Sequence, residues 1–213
     1  GSLTGEVELD PRTCDCCQTS AAVTESGMVV AYRGRTRDEI RDIRVVRRGE
    51  QGWSNPSVVH ADGWMIPSCP VNGPAIAATG NLVAVAWFTA ASDSPRVLLA
   101  FSDDGGESFE APIQVAGSGE IGRSLGRVDL ALTPTGSALV SWLHEREGTA
   151  ALMLAAIDPD GSRSGTTVVP QLDGGRATGF PRLALRRDEV LFAWTEPGDP
   201  SRIRLVSVPL ATE

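Results

Sequence analysis

The chain has 213 residues, of which 41% are hydrophobic and 22% are charged, the composition of a globular domain with a substantial buried core. Its formal net charge of −8 argues against a nucleic-acid-binding protein, because that class normally carries a basic excess to displace counterions from phosphates. The longest apolar runs are strand-sized, whereas a membrane-spanning helix needs about 18 or more apolar residues, so we expect no membrane span.

The predicted elements, taken in chain order, are short β-strands that repeat. Residues 5–9 alternate charged and apolar side chains and predict a first strand that precedes the repeats. Four units follow, each an apolar strand, a turn and a second strand ending in an aromatic residue, at 21–32, 75–87, 128–142 and 183–194. A third strand is predicted after each unit, at 42–46, 96–101, 151–157 and 203–208. A fourth is predicted after three of them, at 57–60, 113–116 and 166–169.

Four-stranded units that recur roughly every 50 residues are typical of the blades of a β-propeller. We therefore predict an all-β fold, a β-propeller of four-stranded antiparallel blades, with about four blades in this chain. The repeats occupy approximately residues 18–60, 72–116, 126–170 and 179–210. We expect the closing aromatic residues to be core wedges between blades: Tyr32, Trp87, Trp142 and Trp194.

The last repeat lacks a predicted fourth strand, which leaves two hypotheses for the domain as a whole. Residues 5–9 could supply that strand and close a ring, which would remove the exposed strand edges. Alternatively, residues 1–213 form a segment of a six- or seven-bladed propeller whose other blades lie upstream. In both cases we expect a single propeller domain or propeller segment.

One turn carries a sharper motif. Residues 102–109 have the sequence SDDGGESF, which resembles the Asp-box, the Ser-x-Asp-x-Gly-x-x-aromatic turn of sialidases and related BNR-repeat proteins. Degenerate copies occupy the same place in two other repeats. In this interpretation the carboxylate accepts backbone N–H groups, the glycines take positive φ and the aromatic ring packs into the blade. The structural residues of the box are Ser102, Asp104, Gly106 and Phe109.

The resemblance implies a sialidase-like fold and raises the question of sialidase chemistry. Members of that family use an arginine triad for the substrate carboxylate, a Tyr–Glu nucleophile pair and an Asp acid/base, and their Asp-boxes lie away from the active site. The one tyrosine of this chain, Tyr32, is assigned to the core, so no nucleophile is evident. Arg33 and Arg35 could hold a carboxylate, but the sequence assigns no triad.

Four cysteines lie in the segments that lead into the first strands of two adjacent repeats: Cys14, Cys16, Cys17 and Cys69. Such segments lie at the same end of a blade as the connections between its second and third strands, so all four thiols are expected on one rim, opposite the Asp-box turn. One hypothesis is disulfide bonding, in which Cys69 paired with Cys14 or Cys16 would tie two blades together. A second is a thiolate site for Cu or Zn, and a third is free or redox-active thiols. No other cofactor is expected.

The same rim is expected to carry the charged loop 33–42. The candidate ligand-binding residues of the rim are Arg33, Arg35, Arg37, Asp38, Arg127, His144 and Glu145. The leading hypothesis is a secreted or periplasmic sialidase-like module that binds a carbohydrate or protein ligand without catalysis. The alternatives are an exo-sialidase type of glycoside hydrolase acting on acidic sugars, and a periplasmic thiolate protein for Cu or Zn. Either a homo-oligomer or missing propeller blades could complete the assembly.

Overall fold

A computed structural model describes residues 5–117 and 122–210. Its first two antiparallel sheets are built from β1 (Ser20–Thr24), β2 (Gly27–Arg33), β3 (Ile43–Gly49), β4 (Gly52–Trp53) and β5 (Ser57–Val58), and from β6 (Ala75–Thr79), β7 (Leu82–Thr89), β8 (Arg96–Ser102) and β9 (Ile113–Ala116). The third and fourth sheets are built from β10 (Arg123–Leu132), β11 (Ala138–Arg146), β12 (Thr149–Ile157) and β13 (Arg163–Leu172), and from β14 (Arg182–Arg186), β15 (Glu189–Glu196) and β16 (Arg202–Pro209). Two short 3₁₀ helices cover Ala91–Asp93 and Arg176–Thr178. Neither helix of the described residues has the length and apolar content needed to cross a membrane.

The strands of each sheet follow one another in chain order, and the sheets stack side by side. The first strands of the four sheets are neighbours, since β1 lies beside β6, β6 beside β10 and β10 beside β14. An apolar cluster fills each of the three spaces between adjacent sheets. This is the radial stacking of propeller blades, and the prediction of an all-β propeller is confirmed.

The middle strands are buried because both of their faces are covered. Strands β7 and β11 have almost every side chain buried and are mostly apolar, which explains why they were clear signals in the sequence. Trp87 and Trp142, near the ends of these strands, are fully buried in the clusters on either side of the second sheet. Tyr32 is also buried, whereas Trp194 is partly buried against the third cluster.

The N-terminal segment does not form the strand expected at residues 5–9. These residues carry no strand, Val7 is 62% exposed, and the fourth sheet has three strands within the described part of the chain. Asp10, the next residue, anchors the segment. Its carboxylate accepts a 2.8 Å hydrogen bond from the buried Tyr32 hydroxyl and forms an ion pair with Arg44 at 3.1 Å. A buried tyrosine hydroxyl requires a partner, and meeting that requirement draws the segment onto the first sheet.

Strand β10 begins at Arg123, five residues before its predicted unit. A β-bulge in the first half of the strand accounts for the difference. Its pairing with β11 shifts register on both sides of Gly126, which has φ +76°, and Arg127 follows with φ +53°. A Cβ atom at Gly126 would lie within 3 Å of Asn72 and Phe88, so the close approach of the neighbouring blade requires glycine here. The bulge breaks the alternation from which a strand is recognised in sequence.

The turn that resembles an Asp-box closes the outer end of β8, away from the cysteine-bearing segments. Asp104 accepts hydrogen bonds from the backbone N–H groups of Glu107 at 2.8 Å and Ser108 at 3.0 Å, and from the Ser102 hydroxyl at 2.7 Å. Phe109 packs against the cluster between the first two sheets. Slight burial works against ionisation, but the hydrogen bonds from Ser108, Ser102 and Glu107 hold the pKa of Asp104 well below its usual value.

Replacing Asp104 by alanine is expected to lower the free energy of unfolding by about 2 kcal/mol at neutral pH, since the turn loses its shared acceptor. Because the pKa of Asp104 is lower in the folded state, its carboxylate stabilises the fold at neutral pH. This contribution decreases as the pH falls below the ordinary pKa of an aspartate and towards the lowered pKa of Asp104. Urea unfolding at pH 7 and pH 3 measures both effects. The matched control is Asp103→Ala, because that neighbouring carboxylate is exposed and makes no hydrogen bond to the described residues; equal losses for the two variants would contradict the assignment.

Candidate functional site

The segments leading into the first strands of the sheets meet the β2–β3 connection at one end of the molecule, which we call the loop end. Thr13 pairs with Gly34 in an isolated β-bridge, and the Cys14 amide donates a 2.9 Å hydrogen bond to the Arg33 carbonyl. The Gln18 side chain accepts a 3.0 Å hydrogen bond from the amide of Gly73 in the second blade. The first two contacts hold the N-terminal segment on the first blade, and the Gln18–Gly73 contact joins the first blade to the second at the loop end.

The four cysteines form one group at the loop end, which we call the cysteine cluster. Cys16 and Cys69 are joined in a disulfide bond, one of the two pairings named from the sequence, while Cys14 and Cys17 are free thiols. The Sγ atom of Cys14 lies 3.5 Å from that of Cys16 and 3.4 Å from that of Cys17, and the Cys16 and Cys17 sulfurs are 4.0 Å apart. Burial raises the pKa of the Cys17 thiol to about 11, against the opposing effect of the nearby Arg33 charge.

Arg33 does not face a ligand. Its side chain is 1% exposed, and its guanidinium donates to three backbone carbonyls, those of Asn72 at 2.8 Å, Arg41 at 2.6 Å and Phe88 at 2.6 Å. The guanidinium also lies 4.9 Å from the centre of the Trp64 ring. Because every nitrogen is occupied, the structure gives Arg33 a structural part at the junction of two blades, in place of the carboxylate-binding part expected from its position after β2.

An ion-pair network lies beside the cysteine cluster, and the sequence did not assign its pairs. Arg41 is buried, its Nη1 lies 3.2 Å from the Cys14 sulfur and its Nη2 donates to Glu39 at 2.8 Å. Arg35 also donates to this carboxylate, from its Nη2 to the Glu39 Oε1 at 2.8 Å. Hydrogen bonds from Arg35 and Arg41 lower the pKa of Glu39 to about 2. The dense mixed charge of loop 33–42 was the available signal, but it does not show which arginine turns inward.

The remaining candidates of that loop, Arg37 and Asp38, are exposed at its tip. Arg127 lies elsewhere at the loop end, in a pocket of about 250 Å³ formed by the segments that enter β6 and β14 and by the first half of β10. We call it the Arg127 pocket; its lining residues are Pro70, Val71, Asn72, Leu125, Arg127, Gly174, Gly179 and Phe180. The Arg127 guanidinium donates to the Gly175 carbonyl at 2.8 Å, which links the third blade to the fourth.

Asn72 organises the Arg127 pocket and was not singled out in sequence. Its side-chain oxygen accepts a 2.7 Å hydrogen bond from the backbone N–H of Arg127, and its amide group donates to the Leu125 carbonyl at 3.3 Å. Its own carbonyl accepts from Arg33. One asparagine therefore joins the pocket to the buried arginine beside the cysteine cluster. The only sequence signal was its place before Gly73 and Pro74, which is typical of a turn.

His144 and Glu145 lie at the loop end of β11 and belong to the third blade. His144 is buried and lines a separate cavity of about 580 Å³ against β12 and β13, whereas Glu145 pairs with Arg123 at 3.2 Å. A further cavity of about 350 Å³ between the third and fourth blades contains an aromatic ring and two carboxylates, those of Trp194, Asp173 and Glu196. The expected rim is thus several pockets rather than one continuous site.

Comparison with known proteins identifies the fold. No protein-family model and no curated protein sequence matches the chain. Among solved structures, Trypanosoma rangeli sialidase in complex with 2,3-difluoro-KDN matches with a TM-score of 0.59 and 12% identity, over 90% of this chain and 36% of the sialidase. A thermostable family-43 glycoside hydrolase matches with a TM-score of 0.57 and 12% identity, over 91% of this chain and 69% of that one. An endo-arabinase from Bacteroides thetaiotaomicron matches with a TM-score of 0.51 and 11% identity, over 92% and 75%.

The TM-scores establish a likeness of fold alone, a sialidase-like propeller shared with other glycoside hydrolases. The chain spans about a third of the length of the sialidase it resembles.

Proposed function

We propose that the protein is an extracytoplasmic binding module that takes an acidic carbohydrate in the Arg127 pocket without cleaving it. The observation that carries the proposal is the position of this pocket, which is lined by residues before β6, within β10 and before β14 and includes Arg127. Ligands of propellers bind at such loop-bearing ends, and pockets at the junction of structural units are the usual sites for small molecules. The similar sialidase binds an acidic sugar derivative.

An arginine suits an acidic sugar because its planar guanidinium forms paired, charge-assisted hydrogen bonds with a carboxylate. Arg127 is held from both sides, by Asn72 at its backbone amide and by the Gly174 and Gly175 carbonyls at its guanidinium. A fixed guanidinium loses little conformational entropy when a ligand binds. Phe180 adds an aromatic side chain to the pocket lining, a surface on which a sugar ring can pack.

The chemistry of the lining supports binding rather than hydrolysis at this place. Glycoside hydrolysis generally requires two carboxyl groups flanking the scissile bond, at separations of about 5 to 10 Å. None of the described residues that line the Arg127 pocket is Asp or Glu. The Cys16–Cys69 disulfide supports an oxidising, extracytoplasmic location.

Replacing Arg127 by glutamine is expected to weaken the binding of N-acetylneuraminic acid roughly 10- to 100-fold, the loss of a charge-assisted hydrogen-bond pair. Isothermal titration with N-acetylneuraminic acid, galacturonic acid and neutral galactose measures the effect, and we expect only the acids to bind. The matched control is Arg186→Gln, because Arg186 lies at the opposite end of β14 and pairs with Glu189 there. Binding of galactose as tight as that of the acids, or equal losses in both variants, would refute the proposal.

A second candidate, glycoside hydrolysis, is favoured by the cavity that brings Asp173 and Glu196 together with Trp194. Incubating the protein with a fluorogenic sialoside and an arabinofuranoside distinguishes the two functions. Turnover that is lost in Glu196→Gln would assign an enzyme to this cavity, and binding without turnover would leave the Arg127 module as the function.

A further inference from the structure

The separations between the cysteine sulfurs match a metal-thiolate geometry. A tetrahedral zinc site with Zn–S bonds of about 2.3 Å places its sulfurs about 3.8 Å apart. The three sulfurs of Cys14, Cys16 and Cys17 are 3.4 to 4.0 Å from one another, and all lie within 4.8 Å. Cys69 is bonded to Cys16, so the fourth sulfur adjoins this group of three.

Two guanidinium groups lie beside the sulfurs. Arg41 Nη1 lies 3.2 Å from the Cys14 sulfur, and the buried Arg33 guanidinium interacts electrostatically with both free thiols. Positive charge at these positions offsets part of the cost that burial imposes on the negative sulfurs required for metal ligation. The Cys14 thiol is buried and Cys69 is exposed, so the cluster is enclosed on the blade side and reachable from solvent through Cys69.

The backbone holds three of the four candidate ligands together. Three of the sulfurs come from four consecutive residues, 14–17, whose first residue is tied to the Arg33 carbonyl. The fourth comes from the adjacent blade, which the Gln18–Gly73 contact fixes against the first. Three candidate ligands are therefore already together on the first blade, and the fourth lies next to them on the adjacent blade.

We propose that the cysteine cluster is a redox-gated site for one d¹⁰ metal ion, Zn²⁺ or Cu⁺, closed while Cys16 and Cys69 are disulfide-bonded and open when they are reduced. In opening, the disulfide takes up two electrons and two protons from an external dithiol, which becomes a disulfide. Binding of the ion then displaces the protons of the ligating thiols to solvent. The proposal is independent of sugar binding at the Arg127 pocket.

The experiment compares the oxidised and reduced full chain. Protein reduced with a phosphine and freed of reductant is titrated with Zn²⁺ against a chromophoric chelator, and separately with Cu⁺ under nitrogen. We expect one ion per reduced chain and none per oxidised chain. Co²⁺ serves as a spectroscopic probe of the wild type, where intense sulfur-to-cobalt charge-transfer bands and tetrahedral d–d bands are expected only after reduction. Tight binding of Zn²⁺ alone identifies a four-thiolate site, and tighter binding of Cu⁺ identifies the softer ion as the ligand.

Variants separate the site from adventitious binding. Cys14→Ser and Cys17→Ser are expected to weaken binding by about 100-fold or more, whereas Asp15→Asn, an exposed neighbour within the same segment, is expected to leave it unchanged. Zn²⁺ at saturating concentration is also expected to raise the melting temperature of the reduced wild type. A folded, reduced wild type with four alkylatable thiols that binds neither ion stoichiometrically, or that shows no charge-transfer band with Co²⁺, would overturn the proposal.

Discussion

Replacing Arg33 by alanine is expected to lower the free energy of unfolding by about 4 kcal/mol or more, the largest effect of any single substitution at the loop end. The three carbonyls that it satisfies belong to Asn72, Arg41 and Phe88, and all three bonds are buried. Each carbonyl left without a donor costs about 1 to 3 kcal/mol, and the removed side chain leaves a cavity against Trp64.

The fork of the guanidinium is the essential feature, since it reaches three acceptors in different directions at once. Arg33→Lys is therefore expected to recover little of the lost stability, because an ammonium group at the end of a flexible stem cannot satisfy all three. Arg35→Ala and Arg37→Ala are the matched controls, since these side chains are half-exposed and exposed, and they are expected to change stability by no more than about 1 kcal/mol.

Urea unfolding followed by far-ultraviolet circular dichroism, with midpoint and slope compared across the four variants, measures the prediction. If Arg33→Ala were as stable as Arg35→Ala, the buried hydrogen bonds would not be the contacts that join the two blades. If Arg33→Lys were fully stable, the charge rather than the geometry of the group would be responsible.

Phenylalanine substitutions at the two buried tryptophans are expected to differ by about 2 kcal/mol. Trp87 and Trp142 are both fully buried and occupy equivalent places in adjacent blades. The indole N–H of Trp87 donates a 2.7 Å hydrogen bond to Asp62, whose side chain is fully buried, whereas that of Trp142 has no partner among the described residues. Trp142→Phe removes volume alone and should cost about 1 to 2 kcal/mol, but Trp87→Phe also leaves a buried carboxylate with one donor fewer.

The Asp62 carboxylate has a second partner, His60, whose Nδ1 lies 2.8 Å from Asp62 Oδ1. In Trp87→Phe the carboxylate therefore keeps this one contact. Urea unfolding of both variants, and of Trp87→Phe in the Asp62→Ala background, isolates the hydrogen bond as a coupling energy. We expect Trp87→Phe to cost about as little as Trp142→Phe once Asp62 is absent. Equal losses for the two tryptophans in the wild-type background would contradict the account.

The repeating pattern of apolar strands and turns predicted the four sheets, because each sheet is built from one continuous stretch of the chain. The middle strands at Leu82–Thr89 and Ala138–Arg146 are buried on both faces over most of their length, so apolar residues dominate them. They end two and four residues beyond the aromatic residues at which their units were predicted to end. Strands whose pattern is interrupted were placed less well: β10 begins before a bulge at Gly126, and β5 has only two residues. A pattern of alternating side chains reports a strand only where the pleat is regular.

The candidate site was likewise only partly predictable from the sequence. The meeting of Cys69 with the cysteines of residues 14–17 was predictable, because topology alone places the entry segments of adjacent blades side by side. The pairing itself was not, since Cys14, Cys16 and Cys17 are too close in sequence for spacing to choose among them. Asn72 carried no signal beyond that of a turn residue.

The sequence by itself determined that the chain folds into antiparallel blades and that its thiols gather at one end, because strand period and chain order are local properties. Only the tertiary structure decided which charged side chains face inward. Arg33 and Arg35 are two residues apart in one loop, yet one is buried on backbone carbonyls and the other is half-exposed and holds Glu39. Two of the carbonyls that bury Arg33 come from the next blade, and backbone acceptors leave no trace in the identity of the residues that carry them.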